Sequence, residues 1–187
     1  MQENGLTEGF SDKDALKFGE IYDQYIKKIY NFIYYKTHHK ESAEDLTSIT
    51  FSKAWENFKN FDQNKGSVSA WLYKIARNTV IDYWRAKKFE YDIEDIWDLS
   101  SGEDIKVDTE NVLKLESVRK YMKNLSSGDR DILIMRVWQE LSYKEIAEIL
   151  GKNEASCKMA FCRALSRLKK EMPLAAFIAF MVFGSLD

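Results

Sequence analysis

The sequence has few of the residues that interrupt helices. Its 187 residues include one proline, Pro173, and eight glycines. Proline removes a backbone donor and glycine weakens a helix interior, so little in this chain would end a helix early. The hydrophobic fraction of 45% is large enough for a core. The sequence therefore predicts an all-α protein of one ordinary domain or two small ones.

Cysteine and histidine are almost absent. The two cysteines, Cys157 and Cys162, lie in one predicted helix, where their spacing separates them by about 140° around the axis and prevents a disulfide between them. The two histidines, His38 and His39, are adjacent and far from both thiols, so no zinc spacing results. Neither a metal site nor a cofactor is expected. Both thiols are interpreted as buried packing groups in a reducing cytoplasm.

Signals for export and for catalysis are missing as well. Residues 1–10 lack the basic start and the apolar core of a signal peptide, and we expect them to be the disordered N-terminus of a cytoplasmic protein. The chain holds no GK[ST] phosphate-binding sequence and no HExxH zinc sequence. The acidic pair Glu44 and Asp45 is interpreted as the partner of a helix N-terminus rather than as a catalytic dyad. An enzyme is therefore not expected.

Acidic charge is concentrated in one segment. The formal net charge is −2, but residues 89–111 hold nine acids and one base, a net charge of −8. The flanking parts are neutral to basic, at +2 for residues 1–88 and +5 for residues 112–171. A segment of one charge repels itself and stays solvated, which predicts a tether. The predicted segments are a first helical domain (11–89), an acidic linker (90–111), a second helical domain (112–171) and an apolar tail (172–187).

The first domain contains signals for three helices. Ser11, three positions before Asp14, predicts a capped helix start. The pattern recurs at Ser42, and Ser67 is the predicted cap of a third helix that runs to about Lys88. Apolar residues at helical spacing support the first helix. They are Phe18, Tyr22, Tyr25, Ile29 and Phe32.

The third predicted helix carries a row of cations with few acids beside it. Asp82 is the only carboxylate between Val68 and Lys88, whereas an ordinary soluble helix mixes both signs. Aromatic residues alternate with the cations, which suits base stacking together with phosphate contact. The alternative is an ordinary solvated face. The residues concerned are Lys74, Arg77, Asn78, Arg85 and Lys88, with the aromatic residues Trp71, Tyr73 and Trp84 beside them.

The second domain contains a helix-turn-helix pattern. Ser142 and Glu145 form a predicted capping box ahead of a short helix. Gly151 ends that helix, and Asn153 is placed to cap a longer basic helix from Glu154. In such a motif the second helix enters the major groove. Packing positions are predicted at Cys157, Phe161, Ala164 and Leu168, groove positions at Ser156, Lys158, Met159 and Arg163, and phosphate contacts at Arg167, Lys169 and Lys170.

Two blocks of sequence resemble the extracytoplasmic-function group of bacterial RNA polymerase sigma factors, which belong to the sigma-70 family. The block 42–88 resembles their second conserved domain, above all in AWLYKIARN at 70–78. The block 141–170 resembles their fourth domain, in EIA at 145–147 and in LG at 150–151. The resemblance implies an all-α fold of two small helical domains: a three-to-four-helix bundle and a helix-turn-helix domain, joined by the acidic linker.

The resemblance also implies a function in promoter-specific transcription initiation. In the family, the second domain binds the clamp helices of the largest subunit of core RNA polymerase, and it recognises and melts the −10 promoter element. The fourth domain reads the −35 element as duplex DNA and contacts the flap of the second subunit. The acidic linker would follow the polymerase channels near the RNA path. An anti-sigma protein is a further candidate partner.

The resemblance assigns roles to individual positions of this chain. The implied core-polymerase contacts are Asp45, Ser48, Ile49 and Phe51. The implied −10 contacts are Phe61, Asp62, Lys65, Lys74, Arg77, Asn78, Arg85 and Lys88. The implied −35 contacts are Ser156, Lys158, Met159, Arg163 and Arg167.

The chain departs from the family pattern where it approaches polymerase. Ser48 and Ile49 stand where the family usually has glutamine and glutamate, which predicts an altered polymerase contact. The alternative function is a stand-alone transcription regulator that uses the helix-turn-helix alone, but this leaves the block 42–88 unexplained.

The tail at 172–187 is apolar and follows two lysines. As a helix, the fifteen residues 172–186 would extend about 22 Å, short of the roughly 30 Å hydrocarbon core of a bilayer. A membrane span is therefore not expected. We expect the tail to pack against the second helical domain or against a protein partner, and an interfacial anchor stays open as the alternative.

Overall fold

The computed structural model describes residues 11–64, 66–91 and 120–183, without the side chains of 88–91, 175, 179, 182 and 183. The predicted N-terminus (1–10), Lys65, the side chain of Lys88 and most of the acidic linker lie outside the described residues. The part that is described consists of helices joined by short turns, with no strand. The all-α prediction is confirmed.

Three helices form an N-terminal unit: α1 (Asp12–Thr37), α2 (Lys40–Asn57) and α3 (Val68–Tyr91). A 3₁₀ turn, Phe58–Asn60, follows α2. Ser11 caps α1, and its hydroxyl accepts from the amide of Asp14 as predicted. Ser67 likewise caps α3 by accepting from the amide of Ala70 at 3.0 Å.

The prediction that α2 begins at Ser42 is wrong. The helix starts at Lys40, and His39 is its N-cap: the His39 ring accepts from the backbone amide of Ser42 at 3.2 Å. Just before it, His38 adopts a left-handed conformation (φ 51°) that ends α1. The hydroxyl of Ser42 instead bonds Tyr83 of α3 at 2.8 Å. A turn of two histidines therefore replaces the expected serine cap.

The core of the N-terminal unit lies between α1, α2 and α3. Phe32 of α1 meets Tyr73 of α3 edge to face, with ring centroids 5.2 Å apart. Both side chains are buried, together with Ile29, Leu46 and Leu72. Burying an apolar side chain of this size contributes about 1.5–3 kcal/mol, so these few residues account for much of the unit's stability.

The C-terminal unit contains α4 (Ser127–Leu133), a π-helical segment (Ile134–Trp138), α5 (Tyr143–Leu150) and α6 (Glu154–Glu171). Ser126 caps α4, Ser142 caps α5 with the predicted capping box to Glu145, and Asn153 caps α6. Gly151 ends α5 at a positive φ of 62°, where a side chain would strain the backbone. The predicted helix-turn-helix is present.

The apolar tail forms a further helix, α7 (Leu174–Phe183). Phe180 is 1% exposed and packs edge to face on Trp138 of the π-helical segment, with ring centroids 5.1 Å apart. The predicted contact with the second helical domain is therefore confirmed. The opposite side of α7 is open to solvent at Leu174 and Ile178. Within the described ranges, no helix combines the length and the apolar composition needed to cross a membrane.

Candidate nucleic-acid interface

A cleft of about 360 Å³ opens where the loop before α3 meets that helix. One wall is an aromatic stack: Phe61 and Trp71 lie with ring centroids 4.6 Å apart and planes 26° apart. Lys74 lies on the rim and is exposed. A flat aromatic surface beside a cation suits an unstacked base and its phosphate. The lining residues are Asn60, Phe61, Asp62, Gly66, Ser67, Ala70, Trp71, Lys74 and, from α5, Glu148.

The loop beside this cleft is held by its own side chains. Asp62 accepts from the backbone amide of Asn64 at 2.9 Å and from the Asn64 side chain at 3.0 Å. This carboxylate–amide turn fixes the chain between the 3₁₀ turn and α3. Asp62 therefore has a structural role in addition to its predicted place at the DNA.

Beyond the cleft, the exposed side of α3 carries the predicted polar residues. Lys74 and Asn78 are exposed one turn apart. Arg85 is also exposed, and its guanidinium is 3.8 Å from the Asp82 carboxylate, a weak surface pair that leaves it free to reach a phosphate.

One cation of α3 was missed in the sequence. Lys87 lies over the rings of Tyr83 and Trp84, at 4.8 Å and 5.8 Å from their centroids. Cation–π contact holds this ammonium against two aromatic rings of its own helix, which also carries the predicted row of cations. The alternation of aromatic and basic residues in the sequence was the signal that could have identified it.

Arg77 is not free in this structure. Its Nε donates to Asp131 of α4 at 2.8 Å, and the ammonium of Lys36, from α1, pairs with the other oxygen of the same carboxylate. Asp131 is 1% exposed. The predicted DNA contact at Arg77 is therefore occupied by a carboxylate of the C-terminal unit, a pairing that no local pattern in the sequence indicates.

On α6, buried and exposed positions divide as the sequence predicted. Cys157, Ala164 and Leu168 are buried, and Phe161 is half-buried against Tyr143 at 5.9 Å between ring centroids. The predicted groove-facing residues all reach solvent, and Met159 is 60% exposed. The exposed set is Ser156, Lys158, Met159, Arg163 and Arg167.

The start of α5, the first helix of the helix-turn-helix, is stabilised by charge. Glu145 closes the capping box by accepting from the amide and hydroxyl of Ser142 at 2.9 Å and 2.8 Å. Burial opposes ionisation of this carboxyl, but the Ser142 bonds, the nearby Ser69 hydroxyl and the nearby Lys28 together lower its pKa. Glu145 therefore stays ionised and keeps α5, and with it the start of α6, in place.

The two thiols differ in environment. Cys157 is buried in the core of the C-terminal unit, and burial raises its pKa. Cys162 is exposed, so the prediction that both thiols are buried is wrong for this one. It lies off the packing stripe of α6, on the side that carries Arg163.

The four predicted polymerase contacts do not form one surface. Asp45, Ser48 and Ile49 are exposed on α2, and Ile49 is 43% exposed although apolar. Phe51 points the other way: it is 5% exposed and packs against Phe18 and Tyr22 of α1. Phe51 is therefore a core residue here, and its assignment to the polymerase contact does not fit its burial.

Comparisons with known proteins identify the family of this chain. Residues 21–90 match the family model described as Sigma-70 region 2, and residues 115–168 match Sigma-70, region 4. The chain is 35% identical over 161 residues to the RNA polymerase sigma factor YlaC of Bacillus subtilis, covering 82% of this chain and 90% of that one. It is 36% identical over 152 residues to the ECF RNA polymerase sigma factor SigM of Bacillus subtilis, covering 80% and 91%.

A solved structure shares the fold of both units. It is the sigma factor RpoE in complex with the anti-sigma factor NepR from Bartonella quintana, with a TM-score of 0.66 and 24% identity, covering 82% of this chain and 95% of that chain. The relatives, the two matched regions and the helix-turn-helix lead to one assignment. The chain belongs to the sigma-70 family of RNA polymerase sigma factors, in the extracytoplasmic-function group.

Proposed function

We propose that this sigma factor directs core RNA polymerase to promoters by using its two units on different forms of DNA. The N-terminal unit captures the opened −10 strand at the Phe61–Trp71 stack, with Lys74 and Asn78 alongside. The exposed face of α6 reads the −35 element as duplex. The observation that carries this proposal is the aromatic cleft with its cationic rim, because a duplex has no unstacked base to place there.

The assignment of the −35 contacts rests on side-chain chemistry. Arg163 can donate two hydrogen bonds to a guanine edge, and Ser156 and Lys158 can reach base edges or phosphates. Arg167 follows further along α6, at the position of a phosphate contact. A stand-alone regulator is not favoured, since it would leave the cleft of the N-terminal unit without a role.

Partners and location follow from the same proposal. The exposed residues Asp45, Ser48 and Ile49 of α2 are proposed to contact the clamp helices of the largest polymerase subunit, and the C-terminal unit the flap of the second subunit. The protein would act in the cytoplasm, where polymerase and chromosome are found. An anti-sigma protein is proposed as a regulator, supported by the complex in which the similar RpoE of Bartonella quintana was solved.

One experiment tests the proposed function. The purified full-length protein is added to core RNA polymerase on a library of genomic promoter fragments, and initiated transcripts are sequenced. We expect transcripts whose upstream regions share two spaced elements. A protein that binds DNA but never supports initiation would show that it is not an initiation factor.

A further inference from the structure

The two units meet through acids of the C-terminal unit and cations of the N-terminal unit. Asp131 of α4 is buried and pairs with Lys36 and Arg77, as described above. A buried carboxylate is strongly unfavourable unless it is paired. Both cations that pair with it belong to the N-terminal unit, so this carboxylate is satisfied by contact between the units. We call this three-residue contact the Asp131 bridge.

A second acid of the C-terminal unit lies at the DNA cleft itself. Glu148 of α5 is part of the cleft lining, and a Cβ built on Gly66 would lie 3.5 Å from its Oε2 atom. The carboxylate therefore lies beside the loop that carries Phe61 and near the cation Lys74. It brings negative charge to a place where a DNA backbone would bring the same charge.

Further polar contacts join the two units between these points. The hydroxyl of Tyr73, on α3, donates to the side chain of Gln139 at 2.7 Å. Burial, followed by the nearby Tyr25 and Glu145, raises the pKa of Tyr73 far above its ordinary value, so the hydroxyl keeps its proton and remains a donor. Ser69 at the start of α3 lies near Glu145 of α5 and helps to lower the pKa of that carboxyl. The contact thus runs along α3, from the cleft to Arg77.

We propose that the C-terminal unit covers the −10 surface in the free sigma factor and must move away before an opened DNA strand can bind there. In this closed arrangement, Asp131 pairs with the guanidinium of Arg77, and Glu148 lies at the edge of the cleft. Each carboxylate places a negative charge where a DNA phosphate would lie. The proposal rests on the proposed function, which assigns that surface to DNA. Closure and binding of the opened strand are mutually exclusive because they use the same cation and the same cleft.

The consequence for DNA affinity can be stated as a ratio. If the open form is a fraction of the population, the apparent dissociation constant exceeds the intrinsic one by the inverse of that fraction. A closed form that outnumbers the open form by about ten to one would weaken DNA binding about tenfold. Removing the Asp131 bridge should recover that factor without changing any residue that touches the cleft.

The test uses three full-length variants and two matched controls. Asp131→Asn keeps the side-chain size but removes the charge, and Lys36→Gln breaks the bridge from the other unit, in case the first variant misfolds. Glu148→Gln removes charge at the cleft alone. Asp129→Asn, on the same helix as Asp131, and Lys40→Gln, at an exposed lysine of α2, repeat the same charge changes away from the bridge.

Two measurements are made on each protein at one fixed salt concentration. Small-angle X-ray scattering gives the radius of gyration, and fluorescence anisotropy gives the affinity for a labelled single-stranded oligothymidylate. We expect Asp131→Asn and Lys36→Gln to be larger than the wild type and to bind the oligonucleotide about tenfold more tightly. Glu148→Gln should bind more tightly with little expansion, and both controls should match the wild type.

Two results would overturn the proposal. Bridge variants that remain as compact as the wild type and bind no more tightly would show that the contact does not hold the units together. Variants that expand but bind the oligonucleotide with unchanged affinity would show that the covered surface is not a DNA surface. The transcription assay distinguishes failure of this proposal from failure of the proposed function. If the wild type supports initiation and either result is obtained, the closed arrangement is refuted while the proposed function stands.

Discussion

Tyr35 and Trp138 stack on each other across the boundary between the two units, with ring centroids 5.2 Å apart and planes 24° apart. Trp138 also receives the edge of Phe180 from α7, at 5.1 Å between centroids. One indole thus joins α1 of the N-terminal unit, the π-helical segment of the C-terminal unit and the tail helix. The tail therefore supports a residue that also belongs to the interface between the units.

Truncation of Phe180 should weaken the fold without affecting DNA recognition. Phe180→Ala removes a buried aromatic side chain, and such a change costs about 3–5 kcal/mol of unfolding free energy. The measurement is urea unfolding followed by tryptophan fluorescence. Ile178→Ala is the matched control, because this residue of the same helix is 52% exposed and its truncation should change stability by less than about 0.5 kcal/mol. Equal losses in both variants would contradict the packing described for α7.

Deletion of residues 173–187 tests whether α7 is needed for promoter binding and transcription. We expect the truncated protein to lose stability but to keep promoter binding and transcription with core polymerase, since no predicted DNA contact lies in the deleted segment. The checks are run at a temperature where circular dichroism shows the truncated chain to be folded. Loss of transcription by a folded truncated protein would show that the tail takes part in initiation.

Arg163→Ala should weaken binding to the −35 element. Loss of a bidentate contact to a guanine edge is expected to cost about 1–3 kcal/mol, measured as affinity for −35 duplexes with and without a base change. Cys162→Ala is the control, because Cys162 is the exposed neighbour on α6 and has no predicted DNA contact. An unchanged affinity for Arg163→Ala would mean that the groove-facing side of α6 is assigned incorrectly.

Asn78→Ala should impair promoter opening and leave −35 binding intact. Asn78 is exposed on α3 beside Lys74, and loss of one of its hydrogen bonds to the captured strand should cost about 1 kcal/mol, or about fivefold in the opening equilibrium. Permanganate reactivity of unpaired thymines reports the opening. Asn124→Ala, at an exposed asparagine of the C-terminal unit, serves as control. A variant that loses only affinity for core polymerase would place Asn78 on a different surface.

Ser142→Ala should destabilise the helix-turn-helix. The substitution removes the hydroxyl that caps α5 and leaves Glu145 without its hydroxyl donor, at a cost of about 1 kcal/mol in urea unfolding. Ser166→Ala, at an exposed serine within α6, is the control and should be nearly neutral. If the two variants were equally stable, the capping box would contribute nothing measurable.

The same capping box predicts a dependence on pH. The pKa of Glu145 is lowered in the folded state from its ordinary value of 4.5. The folded state therefore stabilises the ionised carboxylate more than the unfolded chain does. Its contribution to the free energy of unfolding is therefore complete above pH 4.5, and it is lost as the pH falls through the pKa of the folded state. The stability difference between wild type and Ser142→Ala should shrink below pH 4.5. A difference that stays constant down to the acid transition would contradict this linkage.

Local signals in the sequence predicted local structure well. Ser11, Ser67, Ser142 and Asn153 each cap the helix expected of them, because a cap depends on residues within one turn. The failure at Ser42 has a local cause, because the ring nitrogen of His39, three positions earlier, accepts the capping hydrogen bond. Serine is a preferred N-cap residue and histidine is not, so the sequence favoured Ser42. The buried stripe of α6 followed its helical spacing for the same local reason.

Contacts between distant segments could not be predicted in this way. Phe51 shares a helix with exposed Asp45, and the sequence pattern of α2 did not show which of them faces α1. Asp131 appears in the sequence as one more surface acid ahead of the capping box at Ser142. Its burial depends on Lys36 and Arg77, which come together with it only once both units have folded and met.

The two cysteines allow local opening of α6 to be measured in the natural sequence, without added labelling sites. Cys162 can react with a thiol reagent in the native protein, whereas Cys157 is fully buried and can react only when the packing beneath α6 opens. The count of labels per chain, read by mass spectrometry, therefore distinguishes native molecules with one label from opened molecules with two. The rate at which the second label appears gives the opening free energy of this helix when reclosing is fast.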